Sequence, residues 1–148
     1  MSDWSIRKAT VGDLDRLVEL RCEFLTSVGR EVDETLRRKL ETYLARAIPA
    51  GECAFWVAES AADEIVSTGA MSIYERMAWS GVTREGYVLS MYTVPGWRNR
   101  GIGAAIVADM QRFARDERLQ LCLIALDEAR PIYERAGFTN DPRYMRWR

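Results

Sequence analysis

The residues best suited to chemistry form the run Arg98-Asn99-Arg100-Gly101-Ile102-Gly103-Ala104. Gly101 and Gly103 let a ligand approach the backbone without obstruction by Cβ. A helix starting here has first amides with no internal partner, and its dipole favours an anion at that end. Arg98 and Arg100 add positive charge, so the natural occupant is a di-anionic pyrophosphate. A bare pair of glycines also fits a reading in which it only shapes a tight strand–helix connection. The apolar strand before it, the arginines within it and the helical period after it together favour the anion site. Two other phosphate turns fit poorly. A P-loop needs Gly-Lys-Ser/Thr, where the chain has Gly101-Ile102-Gly103-Ala104-Ala105. A dinucleotide fingerprint needs a small residue at Ile106 and an acid about 20 residues after the glycines, where the chain reads Gln120-Leu121-Cys122-Leu123.

What is missing narrows the chemistry further. The chain has no histidine, which removes His-based triads, His-rich zinc sites and the commonest general base. Acid–base work falls to Tyr, Asp, Glu, Lys or water, and no metal site is expected. Cys22, Cys53 and Cys122 are odd in number, lack CxxC spacing and sit in apolar runs. They read as reduced, buried thiols of a cytoplasmic protein. A net charge of −1 and a pI near 5.6 supply no global field for nucleic acid or membrane. Met1–Ser5 lacks the basic and apolar regions of a signal peptide, and no apolar run approaches the roughly 20 residues that span a bilayer.

The elements that must position these residues follow from periodicity. Residues 1–148 read as one domain. Trp4–Ala9 is a first strand, and Thr10 with Asp13 forms a capping box. Leu14, Leu17, Val18, Leu25 and Val28 place a first helix that stops at Gly29. Leu36, Leu40, Leu44 and Ile48 mark a second helix over about Asp33 to Ile48, ended by Pro49 and Gly51. Cys53–Glu59 and Ile65–Tyr74 are strands of a hairpin, followed by a loop over Met77–Glu85 and a central strand over Gly86–Val94. Ile102, Ile106, Met110 and Phe113 give the third helix its apolar stripe. Leu119–Leu126 is a buried strand, a short helix lies between Pro131 and Gly137, and Arg143–Arg148 is a last strand. The order β-α-α-β-β-β-α-β-α-β predicts an α/β (α+β) fold with a central mixed twisted sheet and helices on both faces.

The segment Arg98-Asn99-Arg100-Gly101-Ile102-Gly103 resembles the signature of the GCN5-related N-acetyltransferase (GNAT) family: Gln or Arg, two variable residues, Gly, one variable residue, then Gly or Ala. Ala129-Arg130-Pro131-Ile132-Tyr133-Glu134-Arg135-Ala136-Gly137-Phe138 is similar to the family's A-x-P-x-Y-x-x-x-G-F segment. The element order extends the likeness over essentially the whole chain. The resemblance implies the acyl-CoA N-acyltransferase fold, with acetyl-CoA as co-substrate in a V-shaped cleft between Gly86–Val94 and Leu119–Leu126. It implies that the backbone of Met91, Tyr92, Thr93 and Val94 pairs with the pantetheine arm. The amides of Arg98, Asn99, Arg100, Gly101, Ile102, Gly103 and Ala104 take the pyrophosphate. By the same resemblance Tyr133 would lie beside the thioester sulfur.

The reaction so implied transfers an acetyl group to a primary amine, most simply of a small molecule, by direct attack. A backbone N–H near Tyr92–Val94, freed by a bulge, would stabilise the oxyanion. Tyr133 would be the general acid, a phenol with a pKa of about 10 set against a leaving group whose thiol has a pKa of about 8.5. Packing against Ile132 and Phe138 is the other reading of Tyr133. The fourth strand, taken as Gly86–Val94, carries no carboxylate, so Glu75 and Glu85 beside the Trp79 loop are the candidates for base. Trp56, Tyr74 and Trp79 are candidates for the acceptor side, with core packing the other reading of Trp56. Asp127 is expected to cap the helix after it. Ser90 and Thr93 read as ordinary strand residues. A protein N-terminus or lysine as acceptor, and a non-catalytic acyl-CoA-binding module, are the alternatives. A homodimer is a common assembly in the family; Trp147 fits an interface and a core equally well.

Overall fold

A computed structural model describes residues 3–78 and 81–148. The layering follows from β2 (Cys53–Ser60), which is buried along nearly its whole length. Such a strand must be covered on both faces. Cys53, Phe55 and Val57 pack with Leu17, Val18, Leu20 and Leu44, which belong to α1 (Leu14–Ser27) and α2 (Glu34–Ala47). The alternate residues Ala54, Trp56 and Ala58 pack with Ile102, Ile106, Val107, Met110 and Tyr133, contributed by α3 (Ile102–Glu117) and α4 (Arg130–Arg135). The predicted α/β sheet with helices on both faces is therefore present.

The sheet runs β1 (Trp4–Lys8), β2, β3 (Ile65–Glu75), β4 (Arg84–Thr93), β5 (Leu119–Leu123), in sequence order. All neighbours are antiparallel except β4 and β5, which are parallel and joined through α3. Local chemistry fixes the helix entries. The Thr10 amide donates to the Asp13 carboxylate at 2.8 Å, and this box opens a 3-10 turn over Val11–Asp13 that leads into α1. Arg7 holds Asp13 at 2.8 Å and Glu59 at 3.0 Å, tying that turn to β2. Asp33 caps α2 by accepting the Leu36 amide at 2.8 Å.

The β3–β4 ladder carries one irregularity that shapes the site. Thr68 faces Tyr92 and Ala70 faces Leu89, so Gly69 alone stands opposite Ser90 and Met91. This is a β-bulge on β4, and Ser90 adopts φ 55°, the left-handed region. Gly69 makes room for it. A Cβ at Gly69 would stand 2.5 Å from Met91 Sδ, 2.7 Å from Met110 Cε and 2.8 Å from Ile106 Cγ2.

Four expectations are corrected. The β3–β4 hairpin is longer than predicted, because Tyr74 faces Glu85 and Glu75 faces Arg84. Opposite charges across the ladder extend it. β5 ends at Leu123, not Leu126, where its pairing with β4 stops. Asp127 does not cap α4, whose N-cap is Ala129 with no side-chain bond. The strand expected at Arg143–Arg148 does not form, and Met145 and Trp147 are 90% and 96% exposed. Asp141 instead accepts the Arg143 amide and guanidinium, each at 2.9 Å. Such local turns compete with ladder pairing.

Gly69→Val is predicted to destabilise the protein by about 1–3 kcal/mol through overpacking beneath the bulge. Urea denaturation with an unchanged m-value checks this; a variant as stable as the wild type would contradict the packing described.

Candidate active site

Pairing of β4 with β5 runs from Arg84↔Leu119 to Val88↔Leu123 and goes no further. From Leu89 onward β4 therefore parts from β5 and leaves a wedge between Leu89–Thr93 and the segment after Leu123. The bulge lies at the apex of this wedge, two residues beyond the last paired position. The sequence placed it at Tyr92–Val94. The structure moves it to Ser90 and Met91, because Gly69 is the position on β3 able to oppose two residues.

Not all of the predicted β4 backbone is available. Val94 N–H donates to Val66 O at 3.0 Å, and Val94 O accepts from Trp97 N–H at 2.9 Å. Val94 thus offers a ligand only a second carbonyl lone pair. Tyr92 O accepts the Ser67 hydroxyl at 3.0 Å, and Thr93 O accepts Arg98 Nε at 2.8 Å. Arg98 is fixed by that bond and by lying 5.6 Å from the Tyr92 ring centroid.

The turn after β4 has the form its glycines predict. Asn99 (φ 62°) and Gly101 (φ 80°) both take the left-handed conformation that these residue types tolerate. α3 then begins at Ile102 with no side-chain cap and no acid in its first turn. Its first internal bond is Ala105 N–H to Gly101 O at 3.1 Å, so the amides of Ile102, Gly103 and Ala104 find no partner within the helix. Arg100 stacks 4.5 Å from the Trp97 ring centroid and stands 3.9 Å from Asp3. Gly103 has a packing reason besides: a Cβ there would meet Ile132 Cδ1 at 3.3 Å. The glycine lets α4 press against the first turn of α3.

That contact positions Tyr133. Its ring is 7% exposed, packs edge-on against Phe138 with centroids 5.8 Å apart, and belongs to the core cluster containing Ile102 and Val88. Burial pushes its phenol up to about 12. The packing reading of Tyr133 is therefore true of the ring, and a proton-donating role rests on the hydroxyl alone.

The remaining candidates lie elsewhere on the sheet. Glu85 lies on β4 itself, so the fourth strand does carry a carboxylate. That carboxylate accepts the Tyr74 hydroxyl and Arg76, and Glu85 stands four strand positions, about 13 Å, before Leu89. Glu75 is exposed at the end of β3. Trp56 is core, 2% exposed and edge-on to Phe113. Tyr74 is 44% exposed, while Trp79 lies outside the described residues. Cys22 and Cys53 are buried free thiols, and Cys122 is half-buried. Burial, then the nearby Glu85 charge, raises the Cys122 thiol. Among the described residues no His, Cys, Asp or Glu cluster could hold a metal, and no helix is long and apolar enough to cross a membrane.

Two residues escaped the sequence reading. Ser90 is 5% exposed, and its hydroxyl has no hydrogen-bond partner. Arg21 lies on the inner side of α1, at helical spacing from Leu17, Val18 and Leu25. A charge on an apolar stripe was its available signal; Ser90 offered none.

Residues 51–140 match the model of the acetyltransferase (GNAT) domain. The chain belongs to the GNAT acetyltransferase family. No curated protein sequence matches it. Among solved structures, it is similar to a predicted acetyltransferase from Clostridium acetobutylicum with acetyl-CoA, at 26% identity and a TM-score of 0.87, over 98% of this chain and 96% of that one. It is similar in fold to a GCN5-related N-acetyltransferase from Ralstonia eutropha JMP134, at 21% identity and a TM-score of 0.82, over 97% of each chain. It also shares its fold with glucosamine-6-phosphate N-acetyltransferase from Arabidopsis thaliana, at 16% identity and a TM-score of 0.77, over 99% of each chain. As a GNAT protein, the chain is an acetyl-CoA-dependent N-acetyltransferase.

The Tyr133 phenol is predicted to titrate near 12. A folded pKa raised above the usual value of about 10 leaves stability intact below pH 10 and erodes it as the pH rises through 12. The ultraviolet titration difference between wild type and Tyr133→Phe isolates this group. A midpoint near 10 would contradict its burial.

Proposed function

We propose that this protein transfers the acetyl group of acetyl-CoA to the primary amine of a small molecule. The observation that carries the proposal is the meeting of three features at one end of the sheet: the wedge between β4 and β5, the uncapped first turn of α3, and the Tyr133 hydroxyl. The donor set fits the group. The amides of Ile102, Gly103 and Ala104 suit a pyrophosphate, aided by the helix dipole, with Arg98, Asn99, Arg100 and Gly101 shaping the turn. Met91, Tyr92, Thr93 and the Val94 carbonyl line the wedge for an amide-bearing arm.

The thioester supplies an acetyl group activated for attack by an amine. In the transfer a nitrogen–carbon bond forms and the carbon–sulfur bond breaks. A backbone N–H freed from the ladder at the Ser90–Met91 bulge would stabilise charge on the carbonyl oxygen. Tyr133 gives its proton to the sulfur as the carbon–sulfur bond breaks; from a phenol near 12 to a thiol at about 8.5 the transfer is uphill, so it is completed by return of a proton from solvent to the phenolate. The amine loses its proton to water, since Glu85 is engaged by Tyr74 and Arg76 and stands well back from the wedge.

Saturation with acetyl-CoA at 100 times its dissociation constant is predicted to add about 2.7 kcal/mol, raising Tm by roughly 5–10 °C. Ala104 is exposed, so Ala104→Glu preserves the fold and places a carboxylate where the pyrophosphate belongs. Its thermal shift should vanish while its own Tm stays at or above the wild-type value; an undiminished shift would remove the pyrophosphate from this turn. Tyr133→Phe should keep the full acetyl-CoA shift and lose about 10²-fold or more in kcat. Unchanged kcat would remove Tyr133 from the chemistry.

A further inference from the structure

Between α1, α2 and the sheet lies a cavity of about 130 Å³. Arg21, Tyr43, Ser72, Leu89 and Ser90 line it, with apolar side chains completing the wall. Leu89 and Ser90 are also the first β4 residues beyond the last β4–β5 pair. The cavity therefore adjoins the apex of the wedge, on the face away from α3.

Two of its polar groups are unpaired. Ser90 Oγ is the one buried side-chain oxygen or nitrogen without a partner among the described residues. It belongs to a non-glycine residue at φ 55°, so this position combines backbone strain with an orphaned hydroxyl. A glycine would relieve both, and a residue that carries both is a candidate for function. Arg21 is half-buried and forms no ion pair among the described residues. Its guanidinium lies 5.4 Å from the Phe24 ring centroid. No carboxylate lines the cavity; its other ionisable groups beside Arg21 are the Tyr43 phenol and the Cys53 thiol. Arg7, by contrast, is satisfied by Asp13 and Glu59. A desolvated cation without a counter-charge is costly and is expected to meet an anion.

We propose that the acceptor amine also carries a carboxylate, and that Arg21 and Ser90 hold that carboxylate in this cavity. A carboxylate presents two coplanar oxygens to the guanidinium fork and keeps a lone pair for the Ser90 hydroxyl. One cation matches one negative charge. A phosphate monoester, carrying about −1.5 to −2 at neutral pH, would remain uncompensated in a cavity with a single arginine. With the carboxylate seated here, an amine a few bonds away reaches the apex of the wedge. The substrate class is thus the amino carboxylates. This rests on the acetyltransferase reading, and it deepens that reading by naming the acceptor.

The test pairs the L-amino acids, β-alanine and γ-aminobutyrate each with its own carboxamide, and compares wild type with Arg21→Met, Arg21→Lys and Ser90→Ala. Acetyl-CoA thermal shifts are measured first on every variant. A shift absent from wild type refutes the acetyltransferase reading itself, and with it this proposal. A normal shift in a variant shows that its fold and cofactor cleft are intact. The expected result is a wild-type kcat/KM at least tenfold higher for some carboxylate than for its carboxamide. Arg21→Met abolishes that preference through KM while the carboxamide rate changes less than twofold. Arg21→Lys restores part of it, and Ser90→Ala raises KM for the carboxylate by a smaller factor. Equal wild-type rates within every pair overturn the proposal, as does an Arg21→Met variant that loses both members of a pair equally. Should no pair be turned over, calorimetric titration of the same carboxylates in the presence of CoA decides. Saturable binding lost in Arg21→Met supports the assignment, and no Arg21-dependent binding overturns it.

Discussion

Every backbone amide and carbonyl in a buried strand needs a partner, and β4 is the strand where that requirement is left open. Up to Val88 it is paired on both sides. Beyond Val88 its neighbour β5 turns away, while β3 stays bonded through Tyr92 and Thr93. The groups that once faced β5 are then available to something that is not a strand of this chain. The bulge at Ser90 follows from the same place, since an added residue twists β4 away from β5. Gly69 makes the bulge packable by omitting the side chain that would collide with Met91 and Met110. The wedge, the bulge and the glycine beneath it are one construction.

The sheet also divides the labour between its faces. The α3 face carries a left-handed turn at Asn99 and Gly101, three amides without partners within their helix, and a helix pressed close through Gly103. Tyr133 belongs to this side, its ring in the core and its hydroxyl without a protein partner among the described residues. The α1–α2 face is built differently, with an apolar cavity, one cation and one orphaned hydroxyl. The two meet where β4 leaves β5.

Local signals were the legible part of the sequence. The glycine turn and its arginines were visible because they depend on residues adjacent in the chain, whereas Tyr133 was singled out only through the resemblance of its segment to the family's. The helices and the first four strands followed from apolar period, and β2 from its unbroken burial. What the sequence did not show depends on pairing between distant residues. The end of β5 at Leu123 is decided by β4, and the bulge at Ser90 by Gly69, twenty-one positions earlier. The alternation of Met145 and Trp147 suggested a strand, but Asp141 turns the chain before any ladder can form. Glu85 was taken for a loop residue because the charge pairing that extends the β3–β4 hairpin is visible only once the two strands are in register. Arg21 was legible in principle, as a charge on an apolar helix stripe.

Amide hydrogen exchange with and without acetyl-CoA tests the central claim most directly. The account predicts slowed exchange concentrated in two segments, Met91–Thr93 and Gly101–Ala104, because these hold the open amides of the wedge and of the first turn of α3. Protection confined to other surfaces, such as the exposed basic side of α2 around Arg38 and Arg46, with both segments unchanged, would contradict it.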